Sequence, residues 1–381
     1  MSETWGVYAH IPWCRRRCPY CAFYVEVDRD VPWAAFAKAL VAELALRRPE
    51  FPGQASTLFF GGGTPSRMPA AHLREVVAAV DASPSAEIAM EANPEDVTPE
   101  AISDWLNAGV NRISLGLQTF NPKFAHLLNR ACSVQHAQET AAWVSQSGVR
   151  SWSMDIIFGL PGQTLADLSE DLERLLETDP PHVSLYGLTI EEGTAFERGF
   201  QRGTIVPAPD DLWREMYDLL VERLAERGIQ RYEVSNFAKD GHRSKHNELY
   251  WTDRPYLAIG PSAHGYTFSG IRWKNVADVG RYLQMPDPTI ESERPTGKDR
   301  AIDRLFSGLR YVGGVSRTEL REKCAQNLSS HAVAKLVQGG WIADDGEKIH
   351  LTNAGFPIAD TVIVKVLDAL TPAEDGSAQP D

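Results

Sequence analysis

The chain has 381 residues, is 43% hydrophobic and 23% charged, and carries a formal net charge of −13. That length suits roughly two to three domains, or one barrel with an appendage, and the ordinary apolar fraction permits a sizeable core. The negative charge argues against broad binding to nucleic-acid phosphates, and no apolar run approaches the roughly 18 residues that a membrane span requires.

The first strand-like run, 6–10, begins almost at once, with no apolar leader segment before it. It is followed directly by three of the chain's five cysteines, Cys14, Cys18 and Cys21, spaced C-x3-C-x2-C. A closed electron-transfer cluster takes four cysteines, and a structural zinc site takes four ligands. Three thiolates on one short loop instead suggest a 4Fe-4S cluster with one iron left open. Arg15, Arg16 and Arg17 lie between the first two cysteines. They read either as a solvated basic loop or as positive charge that eases reduction of the cluster and docks an acidic reductant such as flavodoxin. The isolated Cys132 and Cys324 read as small core residues, and the whole pattern fits a reducing cytoplasm rather than a disulfide framework.

Five further strand-like runs follow at 57–60, 88–91, 112–117, 152–158 and 182–188, separated by helix-length segments. Leu73, Val76, Val77 and Val80 make an apolar stripe at helical spacing. Thr98 is placed to cap a helix that has Pro99 at its first position. Gly109, Gly148 and Gly228 each end a helix and precede a β-branched residue, the pattern of a turn into a strand. Repeated β–α alternation predicts a parallel sheet, either open and doubly wound or an incomplete (β/α) barrel. Its polar signals collect at carboxyl ends of strands: the cysteine loop, then Gly61-Gly62-Gly63-Thr64-Pro65, Glu91, Gln118 and Asp155. Active sites of α/β proteins are built there. The glycine run matches neither a dinucleotide fingerprint nor a phosphate-binding loop. By itself an ordinary strand-to-helix turn would explain it; after a strand, and with the cysteine loop upstream, it could also let backbone approach a small ligand without Cβ obstruction.

The stretch 230–273 is aromatic-rich and holds His242, His246 and His264. An imidazole beside flat rings suits a porphyrin iron; equally, His246 could cap a loop and the aromatics could be core. Beyond 299 the pattern changes to helices at 299–311, 317–325 and 331–337, then a hairpin, 341–343 and 348–351, turning at Asp345-Gly346, and a last helix from about Thr352. Helices plus a hairpin resemble a winged helix. Residues 299–368 hold nine Lys/Arg and nine Asp/Glu, however, which favours a packing or lid domain over nucleic-acid binding. The predicted organisation is a barrel over 1–240, a connecting segment over 241–298, a winged-helix-like domain over 299–370 and a disordered tail over 371–381.

The cysteine triad, with Tyr8-Ala9-His10-Ile11-Pro12-Trp13 before it and the glycine run after it, resembles the radical S-adenosylmethionine superfamily. Within it, the chain is similar to the branch of oxygen-independent coproporphyrinogen III dehydrogenases and HemW haem chaperones, from Tyr8 to about Leu367. Further marks are Met90-Glu91-Ala92-Asn93-Pro94, Ser114-Leu115-Gly116-Leu117-Gln118-Thr119-Phe120 and Asp155-Ile156-Ile157-Phe158-Gly159-Leu160-Pro161-Gly162. The resemblance implies an incomplete (β/α)6 barrel with a 4Fe-4S cluster on Cys14, Cys18 and Cys21 and S-adenosylmethionine on its open iron. Reduction of the cluster would cleave the sulfonium to a 5′-deoxyadenosyl radical. By position, Tyr8, Gly62, Gly63, Thr64, Glu91, Gln118, Arg130 and Asp155 match the family's S-adenosylmethionine contacts. Carboxylates suit ribose hydroxyls and the ammonium, and an arginine suits the carboxylate.

His246-Asn247-Glu248-Leu249-Tyr250-Trp251 resembles the haem-binding segment of the chaperones, which makes His246 the expected haem ligand. His264, in a family-like turn, is a second candidate for the cofactor pocket. The dehydrogenase carries another cysteine where this chain has Phe23, a position at which the chaperones are apolar; Ala22 departs from their usual Asp. The resemblance therefore implies a haem chaperone that binds haem and passes it to acceptor proteins. The alternatives are a coproporphyrinogen dehydrogenase and a related radical modifying enzyme.

Overall fold

A computed structural model describes residues 4–28, 30–130 and 133–373. The described residues divide into two compact units: those of Met1–Gln230, Ser235–His246 and Pro255–Ser292, and those of Arg231–Val234, Asn247–Arg254 and Glu293–Asp381.

In the first unit six strands run parallel and in sequence order: β1 (Gly6–Ile11), β2 (Ala55–Gly62), β3 (Ala82–Ala92), β4 (Arg112–Gln118), β5 (Ser151–Phe158) and β6 (His182–Gly187). The sheet extends past both ends of this run. Short strands β7 (Gln230–Arg231) and β8 (Asn236–Ala238) lie beyond β6, with β8 antiparallel to it. On the other side β9 (Tyr256–Ile259) is parallel to β1, and β10 (His264–Tyr266), β11 (Arg272–Asn275) and β12 (Thr289–Glu293) follow outward. The order β12-β11-β10-β9-β1-β2-β3-β4-β5-β6-β8-β7 has two free ends, so the barrel is incomplete, as expected. The segment read as a connection over 241–298 thus supplies four strands of the sheet. Each has only three to five residues, too few to show a period in sequence.

Parallel strands buried on both faces usually read as continuous apolar runs. Here they alternate. Val7, Ala9 and Ile11 of β1, Leu58 and Phe60 of β2, Ile113 and Leu115 of β4 and Met154 and Ile156 of β5 join Leu40, Leu73, Val76, Trp105, Val144 and Leu172 of the helices in one core. The opposite face carries Thr57, Glu87, Arg112, Ser151, Ser153, His182 and Ser184, all buried. Since side chains on a strand alternate faces, the first set packs under the helices and the second lines a polar lumen.

The helix boundaries follow local chemistry. Thr98 caps Pro99–Asn107, accepting from the Ala101 N–H at 3.1 Å. Gly109, Gly148 and Gly228 adopt φ of 105°, 78° and 72°, the left-handed region in which glycine ends a helix without a Cβ penalty.

The second unit has its own core, including Leu305, Leu320, Val333, Leu336, Ile349 and Ile363. Its helices Gly297–Gly308, Arg317–Cys324 and Ser330–Gln338 precede a hairpin of β15 (Ile342–Asp344) and β16 (Lys348–Leu351), to which β13 (Val315–Ser316) adds a third strand. Asp345 accepts the N–H groups of Glu347 and Lys348 and closes the turn. The last helix starts at Ala359, not at Thr352. Pro357, which lacks an N–H, falls in a 3₁₀ turn over Phe356–Ile358, and the Thr352 hydroxyl instead accepts the Gly355 N–H at 3.2 Å. Thr371 and Pro372, expected in the tail, belong to β17 (Leu370–Pro372), which pairs with β14 (Gln326–Leu328). The remaining tail, 374–381, and Cys132 lie outside the described residues. Cys324 is buried in this core.

Candidate functional site

The carboxyl ends of β2 to β6 and the loop after β1 enclose one cavity of about 580 Å³. Cys14, Cys18, Cys21, Gly62, Gly63, Thr64, Glu91, Gln118, Arg130 and Asp155 all line it. Residues 14–155 reach one space only because the sheet curls around it.

The cysteine loop is held by its flanks. Trp13 is buried against Trp33 and Phe36, with ring centroids 5.0 and 4.6 Å away. The Cys14 N–H donates to the Glu26 carbonyl at 2.9 Å and the Glu26 N–H to the Pro12 carbonyl at 2.8 Å. Three half-buried thiols thus edge one cavity, and no fourth described cysteine lines it. Burial pushes Cys14 up to about 11, opposed by the hydrogen bond from Thr64 and aided by the neighbouring thiols. Three thiolates this close need cationic iron to hold them ionised. This donor set fits a cluster with an open iron.

Asn93, which sequence reasoning passed over, ties two of these cysteines together. The Thr64 hydroxyl donates to Cys14 Sγ at 3.3 Å, and Asn93 Nδ2 donates to Thr64 Oγ1 at 3.2 Å. On its other side Asn93 Oδ1 accepts from Arg130 at 2.9 Å, while Arg130 reaches Cys18 Sγ at 3.8 Å and also bonds the Gly116 carbonyl. Donors aimed at cluster sulfurs raise a reduction potential. Asn93→Ala is expected to keep a near-full cluster but to lower its midpoint potential, read by EPR-monitored titration; an unchanged potential would show that the bridge carries no influence.

Arg15 donates to Asp96 Oδ1 at 2.8 Å, Asp96 accepts from Ser66, and Arg16 lies 3.9 Å from Glu95. Two of the three loop arginines therefore anchor the loop to the turn after β3. Arg17 is exposed and forms no ion pair among the described residues.

The glycines are also required by the packing of the protein itself. A Cβ on Gly62, whose φ is 111°, would sit 2.6 Å from the His10 ring, and one on Gly63 would sit 2.8 Å from the Pro12 carbonyl. Protein fills that space, so glycine is required by the close approach of β2's end to β1's end. The freed Gly62 N–H donates to Glu91 Oε2 at 3.1 Å.

Glu91 and Asp155 face the same interior. Burial, then the charge of Asp155, pushes Glu91 up to about 8. Burial pushes Asp155 up to about 6, opposed by hydrogen bonds from Ser184 and Ser114, the latter at 3.1 Å. Two buried carboxyls lining one cavity suit a ligand that brings positive charge or hydroxyl donors. Gln118 adopts φ of 78°, rare for a non-glycine residue. The loop just after it is clamped by Asp171, which accepts the Thr119 hydroxyl at 2.5 Å and the Phe120 N–H at 2.9 Å. The alternating serines of β4, β5 and β6 were the sequence signal for this polar interior.

Tyr8, His246 and His264 do not line the cavity. The Tyr8 hydroxyl sits 3.0 Å from His10 Nδ1, a layer deeper in the lumen. His246 has no exposed surface. Its Nδ1 lies 2.7 Å from Thr57 Oγ1, its N–H donates to Glu87 Oε1 at 3.2 Å, and its ring stacks 5.2 Å from Phe59. Burial pushes it down to about 3. The ring therefore lies inside the lumen, behind the cavity that the cysteines edge. His264 is exposed at the start of β10.

The open parallel barrel with a three-cysteine cavity at its strand ends defines a radical S-adenosylmethionine protein, and the model of the Radical SAM superfamily matches residues 8–175. Among curated proteins, the chain is 34% identical to the heme chaperone HemW of Lactococcus lactis subsp. lactis (strain IL1403), over 95% of this chain and 97% of that one. It is 37% identical to the heme chaperone HemW of Escherichia coli (strain K12), over 92% and 94%. The chain belongs to the HemW family. Among solved structures, the coproporphyrinogen III oxidase HemN of Escherichia coli superposes with a TM-score of 0.81 at 20% identity, covering 96% of this chain and 90% of that one, a likeness of fold.

Proposed function

We propose that this protein is a haem chaperone: it binds haem and passes it to acceptor proteins, with a 4Fe-4S cluster and S-adenosylmethionine bound in the same barrel. The observation that carries this reading is end-to-end similarity to heme chaperones HemW combined with an intact three-cysteine cavity. Cys14, Cys18 and Cys21 would hold the cluster, which supplies one-electron chemistry when bound. Thr64, Asn93 and Arg130 orient those thiols. Glu91, braced by the Gly62 N–H, would take the ligand's ammonium, and Asp155 its hydroxyls. An acidic reductant of the flavodoxin type, meeting the arginine-bearing cysteine loop, is the proposed electron source. A cluster on reduced thiols is suited to a reducing cytoplasm, the compartment proposed; no helix among the described residues is long and apolar enough to cross a membrane.

Haem titrated into anaerobically reconstituted protein is expected to give saturable uptake near one per chain. The bound haem should then move to an excess of an apo-haem protein. Absence of saturable uptake by protein with a full cluster overturns the reading.

A further inference from the structure

We infer that Asp171 is a positioning residue for S-adenosylmethionine: it locks the turn after β4 in the form that presents Gln118 to the cluster cavity. This rests on the reading above that S-adenosylmethionine binds in that cavity, and is independent of where haem is held. β4 and β5 run in step from Arg112 and Ser151 to Leu115 and Met154, but Gln118 then stands opposite Ile156. Three steps along β4 are thus matched by two along β5. An extra residue of this kind bends a strand and re-aims a side chain, and is common beside active sites. Gln118 itself, which lines the cavity, has a φ of 78°, unfavourable for any residue with a Cβ. Such backbone persists only where its surroundings impose it.

One face of the helix Leu165–Glu177 imposes it, bearing Asp167, Asp171 and Arg174 at helical spacing. A carboxylate has two acceptor oxygens, and the turn fills both: the Thr119 hydroxyl on Oδ2 and the Phe120 N–H on Oδ1. The Thr119 oxygen in turn accepts the Asn121 N–H at 3.0 Å. Around this pair Arg174 donates to the Phe120 carbonyl and Asn121 Nδ2 to Asp167 Oδ1, both at 3.4 Å. Asp171 is only 2% exposed, so water does not compete for these bonds. The same turn starts the short helix Pro122–Leu127, which Asn121 caps. At its far end the Arg130 N–H donates to the Ala125 carbonyl at 2.8 Å. One carboxylate therefore sets Gln118 directly and, through that helix, Arg130, which lines the cavity and reaches Cys18. The fully buried Phe120 ring anchors the turn in the core by itself, so loss of Asp171 unlocks Gln118 without unfolding the turn.

S-Adenosylmethionine is the probe, titrated calorimetrically into the cluster-loaded full chain. Asp171→Asn, which surrenders one acceptor oxygen, and Thr119→Val, which removes the hydroxyl, should each weaken binding about tenfold at unchanged iron and sulfide content. Thr119→Ser keeps the donor and should bind within about twofold of the wild type. A double-mutant cycle separates positioning from mere support of the fold. Gln118→Gly should cost about tenfold alone but less than about threefold in the Asp171→Asn background, where the side chain is no longer held toward the cavity. Should Asp171→Asn fold poorly, the cycle is run with Thr119→Val. Losses that simply multiply in the double variant, or wild-type affinity in the folded Asp171 and Thr119→Val variants, overturn the role given to Asp171. If wild type with a full cluster binds no S-adenosylmethionine, the cofactor reading fails first and the positioning role with it.

Discussion

Replacing Cys14, Cys18 or Cys21 singly by serine is expected to remove most of the broad iron–sulfur absorbance after anaerobic reconstitution, with iron and sulfide falling together. A hydroxyl is a poor donor to a cluster that selects soft thiolates. The three thiols also have no substitute, since no other described cysteine lines the cavity. The loss should be local. The loop is held chiefly by Trp13, by the backbone bonds joining Cys14, Glu26 and Pro12, and by Arg15 on Asp96, so far-UV circular dichroism should be unchanged. Cys324→Ser, in the core of the other unit, should leave the cluster intact and cost stability instead. Full cluster content in any one of the triad variants would remove that residue from the ligand set.

S-Adenosylmethionine should bind more tightly as pH rises from 6 to 8, by up to about tenfold per unit, and then level off. The cause is Glu91, pushed up to about 8 by burial and by Asp155. In ligand-free protein below that pH the carboxyl keeps its proton, whereas an ammonium partner prefers the carboxylate, so binding must expel the proton. The same shift acts on folding. A carboxyl whose folded value lies above its ordinary one stabilises the protein at low pH, and that stability is lost as pH rises from about 4.5 to 8. Ligand-free protein should therefore be less heat-stable at pH 8 than at pH 6, and S-adenosylmethionine should restore more at pH 8. Glu91→Gln should weaken binding about 10- to 100-fold, the worth of a charge-assisted bond, and flatten the pH dependence. Calorimetry at three pH values decides it; an equal dissociation constant across pH 6–8 in the wild type would rule Glu91 out as the ammonium's partner.

Much of this arrangement is legible in the sequence because its signals are local. The cysteine loop, the strand-end Glu91 and Asp155, and the glycine helix stops each sit within a few residues of the turn that uses them. What escaped was long-range. The lumen side of β4 and β5 is written in the alternation of Ser114 with Leu115 and of Ser153 with Met154, but six apolar-looking runs conceal a period of two when they are read only as strands. The strands over 256–293 are too short to show any period and gain their place because β9 pairs with β1, some 250 residues earlier, and the others follow from β9. The surroundings of His246, namely Thr57 and Glu87, come from 189 and 159 residues away. No motif can announce whether such a ring faces water. Likewise the glycine run showed that Cβ atoms are unwelcome without showing that His10 and Pro12 exclude them.

The two-sided character of the parallel strands sets a rule for tolerated change. Deleting a single residue of β3 ahead of Glu87 would swing Glu87 and Glu91 beneath the helices and turn Ile88 and Met90 toward the polar lumen, exchanging both faces at once. Length variation along this chain should therefore gather in the connections, while β1 to β6 admit substitution but neither insertion nor loss of one residue.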